Sequence, residues 1–450
     1  MIVDLTAWAS GHRRPKEPGE KVAAGAAGRP VLGTSVSGTP VYWELPTLAA
    51  AAHVLCLAGS GAGKTMLLAQ ALAGEIAESE RRALPQRLAL LLIDPKGDLI
   101  QALAQNLALT ARSALASVQY LDPFSPGAFP FNLNHLSLGE TPLDIRAMQL
   151  AQLVADVSTA TTAQRHLGVG ARQLDVLQHV LLGALAVPHK GASVLLALDA
   201  LNLRGGLKLL GAVTTSPRAK AFLLATELGD ELRVSSAARL RSAFAATEHL
   251  ERLLAAPCCL NFDELLAPGA ITVLDVGRPV GGMTTLSAFY ANLFARLAIE
   301  HLMTRPSPWR GHPCRIVVDE AQLVAPVLAD RAEAILTTGR SRGLSLVTVS
   351  QGTRLLEQAA ENLLPVLLSN TALKIIGRLA ASDALLLAKE QAPAKGSEEA
   401  LSTVRARFVA SVMNLRDREF YHLTPASRLR FMSRPLDTAR RSLSTSLRQG

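Results

Sequence analysis

Residues 51 to 98 carry the arrangement that most restricts how this chain can fold: a short apolar run, a glycine-rich turn, a helical pattern, then a second apolar run ending in DPKGD. His53 to Leu57 reads as a buried strand, and Met66 to Ile76 keeps helical periodicity, with Gly74 as the one breaker after Gly63. Between them lies Gly59-Ser60-Gly61-Ala62-Gly63-Lys64-Thr65, a phosphate-binding loop. Its glycines let successive backbone N–H groups curl around phosphate oxygens. Lys64 is placed to reach the β and γ phosphates of a nucleotide and Thr65 to offer a hydroxyl to Mg²⁺, with Met66 completing the contact segment. Ala58 stands where the full pattern has its first glycine.

Short apolar runs recur at Leu88 to Ile93, Val118 to Leu121, Ile271 to Val276, Ile316 to Val318, Leu344 to Val349 and Leu373 to Ile376. They are separated by helical patterns, which predicts an α/β fold with a mostly parallel sheet flanked by helices. From about Thr141 to Pro257 the texture changes to Leu, Ala and Gln at helical spacing with Gly and Pro punctuation, the pattern of an inserted all-α domain. A chain of 450 residues exceeds what one core usually supports. The expected organisation is a flexible basic arm at 1–30, a small β element with the first part of the nucleotide domain at 31–140, the all-α insert at 141–257, the second part of the nucleotide domain at 258–425, and a basic tail at 426–450.

Hydrophobic residues make up 49 % and charged residues 18 %, which excludes a disordered chain. Mean hydropathy is +0.24, yet no run approaches the roughly 18 apolar residues that a membrane span needs. The polar, Pro/Gly-rich start shows no signal-peptide pattern, so the expected location is the cytosol. Cys56, Cys258, Cys259 and Cys314 have no C-x-x-C spacing and read as buried reduced thiols. The histidines form no H-E-x-x-H motif, which argues against a zinc site. Net charge is +9, and residues 401–450 hold ten arginines against Asp417, Glu419 and Asp437. Such a segment favours a polyanionic partner, nucleic acid or an anionic membrane face; a merely solvated arginine-rich tail is the alternative.

An NTPase with this loop also needs an acidic tip on a buried strand. In HPCRIVVDEAQ, Asp319 follows Ile316-Val317-Val318 and is placed to support Mg²⁺, and Glu320 is the candidate general base. The run LSLVTVSQG ends at Gln351, whose amide either senses the γ-phosphate and orients water or only caps a strand. TTGRSRGL puts Arg340 and Arg342 in a turn, where a guanidinium serves as an arginine finger, often across a subunit interface, or meets DNA phosphate; Arg340 is the favoured finger. In DPKGD, Asp94 as a turn cap and Lys96 as a phosphate contact both stay open, as does the role of Asp98.

Taken in order, GSGAGKT, DPKGDL, YLDPFSPGAFPFNLNHL, VVDEAQLVAPVLADRAEAILTTGRSRGLSLVTVSQG, LSNTALKIIGRLAASDALLLAK and NLRDREFYHL resemble the type IV secretion coupling proteins of the TraG/TraD kind, within the FtsK/HerA superfamily of DNA-pumping ATPases. The resemblance spans about residues 31 to 425. It implies a RecA-like nucleotide domain with an all-α insert that recognises cargo, assembled as a hexameric ring. ATP would be hydrolysed with Mg²⁺ at subunit interfaces to drive DNA, with relaxase attached, toward a secretion channel. By position, Lys64 and Thr65 match the Walker A residues, Asp319 and Glu320 the Walker B pair, Gln351 the polar sensor and Arg340 the trans-acting finger.

Many members of that family begin with transmembrane helices, and no such segment is read here, so docking at the inner membrane would go through partners. Two other readings stand beside the secretion motor. One is a HerA-like translocase in repair, packaging or plasmid maintenance. The other is an ATP-switched adaptor that recruits relaxase or effector proteins. Aromatic residues are only 4 %, which favours sequence-independent gripping of the DNA backbone over base stacking.

Overall fold

Five strands buried on both faces fix the centre of the fold. The computed structural model describes residues 30–43, 53–124, 142–161, 170–188, 194–244, 248, 251, 260–277, 284–304, 313–360, 362–391, 398–424 and 428–433. Its strands are β1 (Val31–Ser35), β2 (Pro40–Tyr42), β3 (Val54–Leu57), β4 (Ala89–Asp94), β5 (Val118–Leu121), β6 (Ile271–Asp275), β7 (Cys314–Val318), β8 (Leu344–Ser350), β9 (Leu373–Ile376), β10 (Glu419–Leu423) and β11 (Arg428–Ser433). They form one sheet in the order β2-β1-β11-β10-β9-β3-β8-β7-β4-β6-β5. From β9 to β5 all neighbours are parallel. Every residue of β3, β4, β6, β7 and β8 is buried, as helices on both faces require.

The helices are α1 (Lys64–Glu80), α2 (Asp98–Thr110), α3 (Leu143–Thr161), α4 (Ala171–Leu185), α5 (Val194–Asn202), α6 (Gly206–Val213), α7 (Pro217–Ala225), α8 (Asp230–Phe244), α9 (Phe262–Leu265), α10 (Thr284–Thr304), α11 (Ala325–Thr338), α12 (Thr353–Ala359), α13 (Leu363–Asn370), α14 (Ala381–Gln391) and α15 (Glu398–Met413). α1 and α2 cover one face of the sheet with Leu67, Leu68, Leu72, Leu99 and Leu103. The other face is covered by α10, whose Phe289, Tyr290, Leu293, Phe294 and Leu297 are all buried. Burial all round α10 follows from its place between the sheet and the helical segment, since α3 packs against its outer side. The described residues between 142 and 251 are helical and turn, with no strand among them.

Both ends of the described chain join the sheet. The small β element forms its antiparallel margin, where β1 pairs with β11 and with β2. The segment read as a basic tail from residue 426 supplies that connecting strand. In β11, Phe431 and Ser433 are buried, Phe431 packs beside Phe420, and Arg430 pairs with Glu419 Oε1 and Oε2 at 2.6 and 2.8 Å. Arg428 lies over the rings of Phe408 and Tyr421 at 4.4 and 4.8 Å. Arg428 and Arg430 of this basic segment therefore have internal partners. The arm at 1–29 and residues 434–450 lie outside the described residues.

Candidate nucleotide site

The register of the parallel strands brings their carboxyl ends to one edge. Leu57 stands opposite Ser350, Val318 opposite Thr348, Ile93 opposite Val318, and Asp94 opposite Asp275. β8 lies between the strand that feeds the glycine-rich loop and the strand that ends at Asp319. The loops that leave this edge carry Gly59 to Thr65, Lys96, Asp319, Glu320 and Gln351, so the structure gathers those candidate residues at one place, as open α/β sheets do with their ligands.

The loop itself is a cradle of backbone. Gly61 and Gly63 have φ of 77° and 91°, in the left-handed region where only glycine is unstrained. Ala58 is fully buried and continues the strand, its N–H donating to Ser350 O at 3.2 Å, so a side chain is tolerated where the motif usually has glycine. Lys64 is buried, and its ammonium donates to the carbonyls of Ala58 and Gly59 at 2.7 and 3.2 Å. Ser60 and Gly61 are exposed, while Gly59, Gly63, Thr65 and Met66 are half-buried and Ala62 is buried. Two neighbouring loops brace the cradle: Gly59 N–H donates to Arg378 O at 2.7 Å, and Arg418 N–H donates to Ala62 O at 3.0 Å.

Sequence reasoning missed Arg418. It has φ of 68°, and its side chain lies so close to Gly63 that a Cβ added there would stand 3.0 Å from its Cγ. The signal was present in the quoted NLRDREF segment, but nothing in it says that the turn after α15 returns to the phosphate loop. Gly63→Ala meets both a left-handed backbone and this contact. It is expected to lower nucleotide affinity about tenfold, roughly 1.4 kcal/mol, in a fluorescent-nucleotide titration; unchanged affinity would show that the loop relaxes without cost.

Four carboxylates define the acidic side. Asp94 is fully buried and accepts the N–H groups of Lys96, Gly97 and Ile100 at 3.0, 2.9 and 3.0 Å, capping α2. Burial holds its carboxyl above the ordinary range, against those three hydrogen bonds and with the help of Asp275. Asp275 accepts from the Tyr120 hydroxyl. Asp319 is buried at the tip of β7, its N–H bonded to Ile93 O at 3.0 Å, and its carboxyl is pushed up to about 7 by burial and then by Asp94 and Glu320. Glu320 has φ of 52° and is 4 % exposed. Burial raises its pKa, but hydrogen bonds from Lys96, Gln351 and Gln322 outweigh that and hold it below the usual range.

The Glu320 carboxylate has a built setting. Oε1 accepts from Lys96 Nζ and, at 2.7 Å, from Gln351 Nε2. Oε2 accepts from Gln322 Nε2 at 2.5 Å, and Gln322 Oε1 in turn accepts from Ser350 at 3.2 Å. Gln351, at the end of β8, is thus one of the three side-chain donors to Glu320. Asp98 is exposed in the first turn of α2, where an anion suits the helix dipole.

Arg340 is not part of this gathering. Its backbone lies in the turn Gly339–Arg342, just before β8, so it sits at the amino-end edge of the sheet. The seven residues of β8 separate the two edges by about 20 Å at ~3.3 Å per residue. Arg340 is remote from the loop of its own chain, and Arg342 starts from the same edge.

The residues present fit a nucleotide with Mg²⁺. The loop offers N–H groups to phosphate, and buried carboxylates with a raised pKa at Asp319 need added positive charge. Among the described residues no group of three His, Cys, Asp or Glu side chains forms a cage for a metal by itself. Mg²⁺ is commonly held by one or two protein groups together with phosphate and water. Cys56 and Cys314 are buried free thiols, and burial pushes Cys56 up to about 12; Cys258 and Cys259 lie outside the described residues. No described helix is long and apolar enough to cross a membrane.

No family model matches the chain, and no curated protein matches it. Solved structures do. The bacterial conjugative coupling protein TrwB, in an unbound monoclinic form, is 16 % identical at a TM-score of 0.59, over 89 % of this chain and 88 % of that one. TrwB in complex with the non-hydrolysable ATP analogue ADPNP is 15 % identical at 0.57, over 94 % and 98 %. VirB4 of Thermoanaerobacter pseudethanolicus is 17 % identical at 0.55, over 90 % and 96 %. At these identities the likeness is one of fold, and the chain has the RecA-like fold of the conjugative coupling protein that its motifs resemble.

Proposed function

We propose that this chain is an ATPase of the type IV secretion coupling kind, which hydrolyses ATP between subunits of a ring, by resemblance a hexamer, to move DNA or a DNA–protein complex. The observation that carries the reading is the placement of Asp319 and Glu320 at the tip of β7, beside the phosphate loop, with Glu320 held by three side-chain donors. The nucleotide-bound structures of TrwB, which share the fold, support nucleotide use.

In the proposed reaction a water oxygen bonds to the γ-phosphorus as the bond to the β,γ-bridging oxygen breaks, giving ADP and phosphate. Glu320 takes the proton from that water. Lys64 faces the charge gathering on the phosphate oxygens, and the backbone from Gly59 to Met66 orients them. Thr65 and Asp319 would hold Mg²⁺, which when bound supplies charge neutralisation at the phosphates. Gln351 donates to the base and thereby ties the tip of β8 to the state of the site.

Arg340 lies too far from its own loop to serve there, so its proposed role is at the site of a neighbouring copy. Mixing Arg340→Ala chains with Glu320→Gln chains tests this. Each variant alone is expected to be inactive. The mixture is expected to recover part of the DNA-stimulated turnover, because some interfaces then pair an intact base with an intact arginine. No recovery, with both variants still assembling, removes the trans role. Turnover that neither single-stranded nor duplex DNA stimulates would favour the adaptor reading over the DNA motor.

A further inference from the structure

The proposed chemistry does not use the motif DPKGD, and its geometry is specific. The backbone of Lys96 is fixed from two sides. Asp94 accepts the N–H groups of Lys96 and Gly97, and on the other side the loop after β6 presses so closely that a Cβ on Gly277 would stand 2.7 Å from the carbonyl carbon of Lys96. Gly97, at φ 76°, turns the chain there beside Asp275. From this anchored start, the Lys96 side chain, 46 % exposed, crosses from the tip of β4 to Glu320, whose side chain is 5 % exposed, on the tip of the adjacent β7.

A lysine free to stay in water gives up rotamer freedom when it is held. A buried carboxylate offers the compensation, because its charge needs a partner. Among the three side chains that donate to Glu320, only Lys96 is a cation, and a charge-assisted bond is about twice as strong as the amide donors provide. Gln351 shares Oε1 with it, and Gln322 holds the opposite oxygen. Lys96 thus meets the carboxylate from an element that is not the phosphate loop.

We infer that Lys96 is a positioning residue for hydrolysis: it fixes the orientation of Glu320 from the β4 edge and contributes little to nucleotide affinity. The inference rests on the reading of Glu320 as general base. A misplaced base loses about 100-fold in rate for a shift near 1 Å, which sets the scale of the effect.

The test uses the full chain with Lys96→Met and Lys96→Arg, each alone and with Lys96→Met also combined with Glu320→Gln. Affinity is read with a fluorescent ATP analogue, KM and kcat at steady state, and residual rates by single-turnover hydrolysis with protein in excess. Lys96→Met is expected to lower kcat about 10- to 100-fold, with KM and affinity within about twofold of the parent. Lys96→Arg, which keeps the charge, is expected to regain part of the loss. In the Glu320→Gln background Lys96→Met should make no further difference.

Affinity that falls in step with turnover would overturn the inference and make Lys96 a phosphate ligand. Unchanged or raised turnover in Lys96→Met would overturn it, as would an equal further loss on top of Glu320→Gln. Full turnover in Glu320→Gln alone is a separate result that sinks the reading of Glu320 as base. Retained nucleotide binding by Lys96→Met reports that the variant is folded.

Discussion

Glu320→Gln should lower ATP turnover by about two to four orders of magnitude while nucleotide affinity stays within about twofold. The amide has the shape of the carboxylate and cannot take a proton from water. The fold around it can absorb the change: Oε1 keeps its role as acceptor for Lys96 and Gln351, and the new NH₂ takes the place of Oε2, opposite Gln322. Gln322 then turns its own amide to present oxygen, and the Ser350 hydroxyl, which now donates to Gln322, accepts instead and also bonds Gly352 O at 3.0 Å. Phosphate release at saturating ATP, beside a fluorescent-nucleotide titration, checks both halves. Turnover within tenfold of the parent would assign the proton to another acceptor, and lost affinity would make Glu320 part of the binding site.

Much of this geometry was legible in the sequence because it rests on local rules. An apolar run followed by glycines with a lysine and a hydroxyl specifies strand, cradle and helix together, and β3, Gly59 to Thr65 and α1 follow it. Two-sided apolar runs located the parallel strands for the same reason: only a strand covered on both faces lacks alternation. What stayed hidden depends on contacts far apart in sequence. Glu320 and Lys96 are 224 residues apart, and only the adjacency of β4 and β7 brings them together. Arg418 reaches the phosphate loop because β10 and β11 extend the sheet on the β9 side, which no residue near Gly63 foretells. The segment after residue 426 misled for a different reason. Its arginines read as a basic segment for a polyanionic partner, with a solvated tail as the alternative, yet Arg430 and Arg428 find Glu419 and two aromatic rings once β11 closes on β10.

A second large effect is expected far from the phosphates, where residue type and burial conflict most. Arg315, on the strand that carries Asp319, is fully buried; its Nη2 lies 2.9 Å from Glu75 Oε1 on α1, and its guanidinium is 5.3 Å from the Trp43 ring. Trp43 Nε1 donates to Glu75 Oε2 at 3.1 Å, so three residues from three segments meet between the helix after the phosphate loop and the acidic strand. Burial pushes the Glu75 carboxyl up and the Arg315 guanidinium down, each against the attraction of the other. Arg315 Nε and Nη1 have no hydrogen-bond acceptor among the described residues. The group is therefore expensive to bury and more expensive to break.

Glu75→Ala leaves a guanidinium in the core with no counter-charge and Trp43 without its acceptor, at a cost of about 3–5 kcal/mol for the orphaned charge and about 1 kcal/mol for the lost hydrogen bond. The paired change Glu75→Gln with Arg315→Met removes both charges, keeps an amide oxygen for Trp43 and fills most of the volume. It should return to within about 2 kcal/mol of the parent. Urea unfolding midpoints of the three chains decide the matter. A small loss in Glu75→Ala would mean that Arg315 reaches water in solution. A double variant as unstable as the single one would mean that the ion pair, and not the avoidance of an unpaired charge, holds α1 to β7.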